Sequence, residues 1–277
     1  MSLTTQNTAS GWMLDTDPLL CLACAGDLSP AGEGLRCKKC GHAYPIRDGV
    51  LVVKDEPAPD NQIARDFYNS PLWPKFRFWE WFFFLCNGGE RKSRNVILRH
   101  LPQQAGIKLL DVAIGDGVYV DWLPHDWKMV GIDVSTYQLA NCRRRNSARD
   151  LRLVLGEAES LPFRDQAFDA VLSIGGFNHF QNPEGALREM VRVVRPGSTI
   201  VISDEIPNFT DRLLFHKIGL ASLDRWLVAR SIGKDFADLV ERHRRMDIAE
   251  IGRRVLKDSH YELIWHGGGY VMVGKAP

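Results

Sequence analysis

Lys108-Leu109-Leu110-Asp111-Val112-Ala113-Ile114-Gly115-Asp116-Gly117 is the stretch from which the fold is read. It has the form of a buried strand that ends in an acidic residue and turns through a glycine-containing loop. An α/β protein commonly meets a nucleotide-like ligand this way. Two glycines after a strand also make an ordinary strand-to-helix connection, so the loop takes its meaning from the strands and helices C-terminal to it.

Apolar strands and helical stretches alternate from Lys108 onward. Candidate strands are Leu109 to Ala113, Met129 to Asp133, Leu151 to Leu155, Ala170 to Ile174 and Thr199 to Ser203, with helices at about Ser135 to Ser147 and Pro183 to Val194. Short apolar strands separated by amphipathic helices predict a doubly wound, mostly parallel α/β sheet of Rossmann-like form. Ligands of such sheets bind at the carboxyl ends of the strands, so the chemistry is sought there. The second strand ends at Asp133, where an acidic residue can accept hydrogen bonds from both ribose hydroxyls; the competing role, a helix N-cap, is equally open to Ser135. The third strand leads into Gly156-Glu157-Ala158-Glu159-Ser160-Leu161-Pro162-Phe163. The fourth leads into Gly175-Gly176-Phe177-Asn178-His179-Phe180, and a later helix ends at Arg195-Pro196-Gly197.

Taken in order, these motifs from about Asp66 to Pro277 resemble a class I S-adenosylmethionine-dependent methyltransferase of the type found in ubiquinone and menaquinone biosynthesis. The resemblance implies that Asp111, Gly115 and Gly117 hold the methionine part of the cofactor. It makes Asp133 the ribose ligand and Val134 the residue packed on adenine, and it brings Glu157 and Ala158 to the adenine edge. The backbone at Ser173 and Ile174 would meet the cofactor's amino group, and Tyr68 would close over it. Ala113 stands where the usual G-x-G-x-G has its first glycine, which asks of this position a negative φ and room for a methyl group. A dehydrogenase fits less well, because the third glycine of a dinucleotide fingerprint falls at Val120.

Ahead of this region, Cys21-Leu22-Ala23-Cys24 and Cys37-Lys38-Lys39-Cys40 form two C-x2-C turns. Their spacing suits a tetrahedral sulfur cage for a structural Zn²⁺, and four thiolates leave no open position for catalysis. So small a segment would draw much of its folding energy from the metal. His42 is read as a surface residue. The continuation Tyr44-Pro45-Ile46-Arg47-Asp48-Gly49-Val50 resembles the zinc ribbons related to the activator subunit of certain tRNA and protein methyltransferases, and it is expected to form a hairpin. The ribbon is assigned to residues 15–54 and could serve as a docking or dimerisation surface. Residues 54–60, with two prolines, read as a linker, and the methyltransferase domain as 61–277.

Between Phe76 and Leu85 nearly every position is apolar, so periodicity separates no buried face from a wet one, and most of these rings are expected to be core or interdomain packing. Residues 205–257 read as a helical insertion. Its Phe209-to-Leu227 part is apolar and lid-like, and a charged helix follows from Asp235 to Lys257. Such a lid suits a hydrophobic small-molecule acceptor. Arginines at 143–145, 242, 244, 245, 253 and 254 could form a phosphate track, although solvated helix faces explain them more simply. Strands at Tyr261 to Trp265 and Tyr270 to Gly274 complete a terminal antiparallel hairpin.

With 35 Lys+Arg against 34 Asp+Glu, no global field marks the chain for nucleic acid. Residues 1–20 lack a charged-then-apolar export pattern and no apolar run is long enough to span a bilayer, so a cytoplasmic protein is expected. Methyl transfer to a quinol-like or specialised metabolite is the favoured function, with His179 past the fourth strand as the candidate general base. The Asn-Pro-Pro-Tyr type motif of adenine and glutamine N-methylation is absent. The alternatives are an rRNA or tRNA base methyltransferase, suggested by the zinc ribbon, and a non-catalytic module in which the ribbon recruits a partner.

Overall fold

The computed structural model describes residues 18–277, apart from the side chains of residues 214 and 215. The stretch read for an export signal and the expected start of the ribbon at residue 15 lie almost wholly outside the described residues. The ribbon consists of β1 (Leu28–Ala31), β2 (Gly34–Cys37), β3 (Ala43–Arg47) and β4 (Val50–Val52). Three helices come next: α1 (Pro59–Asn69), α2 (Leu72–Cys86) and α3 (Glu90–Leu98). The alternating region comprises β5 (Lys108–Val112), β6 (Lys128–Asp133), α4 (Thr136–Arg145), β7 (Leu151–Leu155), β8 (Phe168–Ile174), α5 (Pro183–Val193) and β9 (Val194–Glu205). The chain ends with α6 (Leu214–Lys217), α7 (Ala221–Ile232), α8 (Lys234–His243), α9 (Ile248–Val255), β10 (Lys257–Ile264) and β11 (Gly269–Lys275).

The strands form one sheet in the order β1-β2-β3-β4-β7-β6-β5-β8-β9-β11-β10. From β4 to β9 every neighbour is parallel, and β11 and β10 add antiparallel at the far edge. The expected Rossmann-like, mostly parallel sheet with a terminal antiparallel hairpin is thus what the chain forms. One feature exceeds the expectation: β4, the last strand of the ribbon, pairs in parallel with β7, so the ribbon extends the main sheet. The order reverses at β5, between β6 and β8, and this places the ligand crevice over the carboxyl ends of those strands.

Strand side chains alternate between faces, and the two faces build two cores. Leu110, Val112, Val130, Ile132 and Val154 pack with Leu187 and Met190 of α5 and Ile251 of α9. Leu109, Met129, Leu153 and Leu172 pack on the other side with Leu139 of α4 and Ile97 of α3. Leu28, Leu35, Tyr44 and Leu51 of the ribbon belong to the first of these cores, together with Leu161 and Phe163. The Leu20 N–H donates to the Pro162 carbonyl at 2.9 Å, and Arg164 pairs with Asp27 at 2.5 Å.

Two expectations are corrected. The aromatic run forms α2, but of its rings only Phe84 is buried; Phe78, Trp79, Trp81, Phe82 and Phe83 are exposed. A helix this rich in large apolar side chains has too many to bury against the neighbours it has. The charged helix expected from Asp235 to Lys257 is instead α8, α9 and the start of β10. Asp247 accepts a hydrogen bond from the Glu250 N–H and so starts a new helix, a capping pair that the charge pattern concealed. The lid segment is likewise interrupted, at Gly219 with φ +83°.

Candidate active site

The loops after β5, β6, β8 and β9, roofed by α1, α2 and α8, enclose a cavity of about 650 Å³. Tyr68, Ala113, Gly115, Asp133, Val134, Ala158, Ile174 and His179 line it. Asp111, Gly117, Glu157 and Ser173 do not.

Asp133 is buried at the end of β6. Its Oδ2 accepts from the Gly115 N–H at 2.9 Å and its Oδ1 from the Ser135 N–H at 2.8 Å. The Ser135 hydroxyl caps α4 by accepting from the Gln138 N–H at 3.1 Å, so the acid and the cap are separate residues. Burial pushes the Asp133 carboxyl up to about 6, against the lowering effect of these backbone donors. Gly115 has φ +57° and open space where a Cβ would stand, which leaves its backbone free for close approach.

The expectation of negative φ at Ala113 is corrected. Its φ is +61°, because the Ala113 and Ile114 N–H groups both donate to the Ile132 carbonyl as the chain leaves β5. A left-handed alanine costs roughly 1–2 kcal/mol. Its methyl also reaches the β8 loop, since a Cβ on Gly176 would come within 2.4 Å of it.

The carboxylates outside the cavity have other partners. Asp111, wholly buried, accepts from the Tyr119 hydroxyl at 3.2 and 3.1 Å, and burial holds its carboxyl well above the usual range. The Glu157 carboxylate is turned to the linker, where it accepts from Lys54 Nζ, the Ala58 N–H and, at 3.1 Å, Asn61 Nδ2. Asn61 also donates to Glu159 at 3.0 Å and accepts from the Gln181 N–H at 3.0 Å. Glu157 therefore fastens α1 over the cavity. Gly117 faces Cys142 and Asn146, and the buried Ser173 hydroxyl has no hydrogen-bond partner.

His179 is buried against the Phe236 ring, centroids 4.8 Å apart, and its Nε2 lies 3.1 Å from Glu205 Oε1. Its Nδ1 is buried and unpartnered. Beside Glu205, Asp204 accepts from the Asn178 N–H at 2.9 Å. Burial and the neighbouring Glu205 hold the Asp204 carboxyl well above the usual range. Glu205 falls to about 2, because the hydrogen bonds from Asp204 and His179 outweigh its own burial. An ionised glutamate is thus placed to receive Nε2–H, which leaves Nδ1 as the nitrogen lone pair. Sequence patterning does not single out Asp204 and Glu205, although they end β9 just as Asp133 ends β6.

Tyr68 donates its hydroxyl to the Gly175 carbonyl at 3.3 Å and packs edge-on to Trp73, and its neighbour Phe67 stacks on Phe236 at 4.2 Å. The cavity is thus lined by rings together with Asp133, Asp204 and Glu205 and with Arg77, Arg94 and Arg212.

In the ribbon the sulfurs of Cys21, Cys24, Cys37 and Cys40 all lie within 4.8 Å of one another, with Cys21–Cys40 at 3.6 Å and Cys24–Cys37 at 3.5 Å. A zinc tetrahedron with bonds of about 2.3 Å sets its sulfurs about 3.8 Å apart, so these four residues fit a structural zinc. The Tyr44 hydroxyl lies 3.2 Å from Cys21 Sγ and accepts from the Leu22 N–H at 3.0 Å, which gives the Tyr-Pro-Ile motif its physical role. His42 is exposed.

Residues 110–202 match the methyltransferase-domain family model, and residues 17–49 match the Trm112p-like protein model. The chain is 32% identical over 158 residues to a demethylmenaquinone methyltransferase of Renibacterium salmoninarum, covering 57% of this chain and 59% of the relative. It is 33% identical over 107 residues to a phthiotriol/phenolphthiotriol dimycocerosates methyltransferase of Mycobacterium ulcerans, covering 38% and 40% of the two chains. It thus spans about half the length of these relatives. Phosphoethanolamine N-methyltransferase 2 of Haemonchus contortus, solved with S-adenosyl-L-methionine, shares the fold, with a TM-score of 0.52 at 14% identity over 77% of this chain and 60% of that one.

Proposed function

From a chain that carries a methyltransferase domain behind a Trm112p-like ribbon, we propose an enzyme that methylates a small hydrophobic acceptor from S-adenosylmethionine. The observation that carries this reading is one cavity lined by Asp133, His179 and Glu205 together and by aromatic side chains. S-adenosylmethionine supplies an electrophilic methyl group on a cationic sulfonium. The ionised Asp133 and Glu205 favour a cation, and the rings of Tyr68, Phe67 and Phe236 exclude water. Asp133 receives the ribose hydroxyls on the lone pairs that its two backbone donors leave free. His179 lines the cavity and takes the acceptor's proton, while the Glu205 carboxylate beside its Nε2 steadies the imidazolium that forms, an arrangement suited to a hydroxyl acceptor.

Asp133→Ala should weaken S-adenosylmethionine binding about a hundredfold or more, because two hydrogen bonds to a charged group are lost. The ribose needs the ionised carboxylate, and Asp133 titrates at about 6 in the folded protein. Affinity should therefore be full above that pH and fall about tenfold per unit below it. Isothermal calorimetry across pH reads both effects, and an Asp133→Ala variant with unchanged affinity would remove the ribose assignment.

The reading as an RNA methyltransferase finds little support on the surface. Of the arginines considered as a phosphate track, Arg145, Arg242, Arg244, Arg253 and Arg254 each pair with a carboxylate of the chain. Incubation with labelled S-adenosylmethionine and cell extract should put label into the organic-soluble fraction. Label confined to RNA would replace this reading with the other.

A further inference from the structure

We propose that α2 and the α6–α7 segment form one face that docks on an anionic lipid bilayer and admits the acceptor to the cavity from that side. The second part of this proposal rests on the reading above; the docking itself does not. Phe78, Trp79, Trp81 and Phe82 on α2 and Ile218 and Trp226 on the α6–α7 segment are all exposed, with Trp79 at 64% and Trp226 at 57%. The two helices α2 and α7 touch, so these side chains share one region of surface. So large an apolar patch marks an interaction surface, and tryptophans are favoured where one end of a side chain meets hydrocarbon and the other meets water.

Charge selects a lipid surface as the occupant. The charged side chains that these helices expose are all basic: Lys75, Lys217, Arg225 and Arg230. Their acids are turned inward. Glu80 lies between Arg77 and Arg94, and Asp224 is buried and accepts from the His216 N–H. Apolar rings ringed by cations match the surface of a bilayer that carries anionic headgroups. No helix among the described residues is long and apolar enough to cross a membrane, so the face would lie on the bilayer. The same helix continues into the site, since Phe76, Trp79 and Phe83 also line the cavity. A hydrophobic acceptor leaving the lipid between α2 and its neighbours would meet rings all the way to His179.

The test is co-sedimentation of the full chain with vesicles of equal parts phosphatidylglycerol and phosphatidylcholine, and with phosphatidylcholine alone. The anionic vesicles should retain the protein and shift its tryptophan emission to the blue. Trp81→Ser combined with Trp226→Ser, neither of which lines the cavity, should weaken retention about tenfold or more. Arg225→Glu combined with Arg230→Glu should weaken it at low salt by about fivefold for each charge removed. Absence of retention at roughly millimolar lipid would overturn the proposal. So would a stable dimer in sedimentation equilibrium that the double tryptophan variant dissociates, because the face would then belong to a second copy of the chain. Cofactor affinity is measured without lipid, so vesicle binding by a protein that fails to bind S-adenosylmethionine would uphold the docking face while ending the catalytic reading.

Discussion

Cys37→Ser should release the zinc and lower the melting temperature of the whole chain, not only of its first forty residues. Structural zinc contributes about 10–16 kcal/mol in isolated small domains, where the metal is nearly the whole of the folding energy. Here the ribbon has a second support, because Leu35, Tyr44 and Leu51 are buried in the same core as Leu161 and Phe163, and β4 is paired to β7. That support works in both directions. Loss of the metal frees the turns at Cys21–Cys24 and Cys37–Cys40, and Tyr44 loses the sulfur it buttresses. The edge of the main sheet at β7 then loses an ordered neighbour. A net loss of roughly 3–4 kcal/mol corresponds to a melting temperature lower by about 10 °C in a domain of this size. Zinc stoichiometry by atomic absorption and a calorimetric melting curve, with and without chelator, read the two quantities together. One zinc per chain and an unchanged melting temperature in the variant would show that the four thiols are not the metal cage.

The strand ladder is legible in the sequence because buried parallel strands are short apolar runs bounded by turns, and the expected and observed bounds of β7 agree to the residue. Asp133 is legible for a related reason, since a strand end is a position the backbone fixes. Where the other acids turn is not legible in the same way. Alternation along β5 puts Leu109 and Asp111 on one face and Leu110 and Val112 on the other, so Asp111 meets Tyr119, which packs beside Leu109. The same alternation turns Ser173 away from Leu172 and Ile174. At both positions the period-two pattern carries the direction of the side chain. Glu157 has no such signal: its partners at Lys54, Ala58 and Asn61 lie about a hundred residues earlier in the chain. The positive φ of Ala113 is hidden because residue type predicts a left-handed conformation only for glycine and, less often, asparagine or aspartate. The exposed rings of α2 show the limit of hydrophobicity as a guide to burial. A helix crowded with apolar rings records what it can contact, not what covers it.

His179→Ala should lower the rate of methyl transfer by about a hundredfold to ten-thousandfold, the usual contribution of a positioned general base, while leaving S-adenosylmethionine affinity unchanged. The separation is expected because His179 lies past β8, two strands from β6, and its side chain meets Glu205 at the end of β9, whereas Asp133 is held by the β5 and β6 loops. The ring also packs on Phe236, so alanine leaves a void as well as removing a base. His179→Gln keeps most of the volume and separates the two effects: a packing role predicts near-normal turnover in this variant, and a base predicts turnover as low as in the alanine variant. Added imidazole should partly restore His179→Ala and do nothing for Asp133→Ala. Glu205→Gln should sit between wild type and His179→Ala, since it keeps the contact to Nε2 but loses the charge that stabilises a protonated ring. If both His179 variants turn over at the wild-type rate, the acceptor atom already carries its lone pair without losing a proton. The buried His179–Glu205 pair would then be a structural tie between the β8 loop and the end of β9.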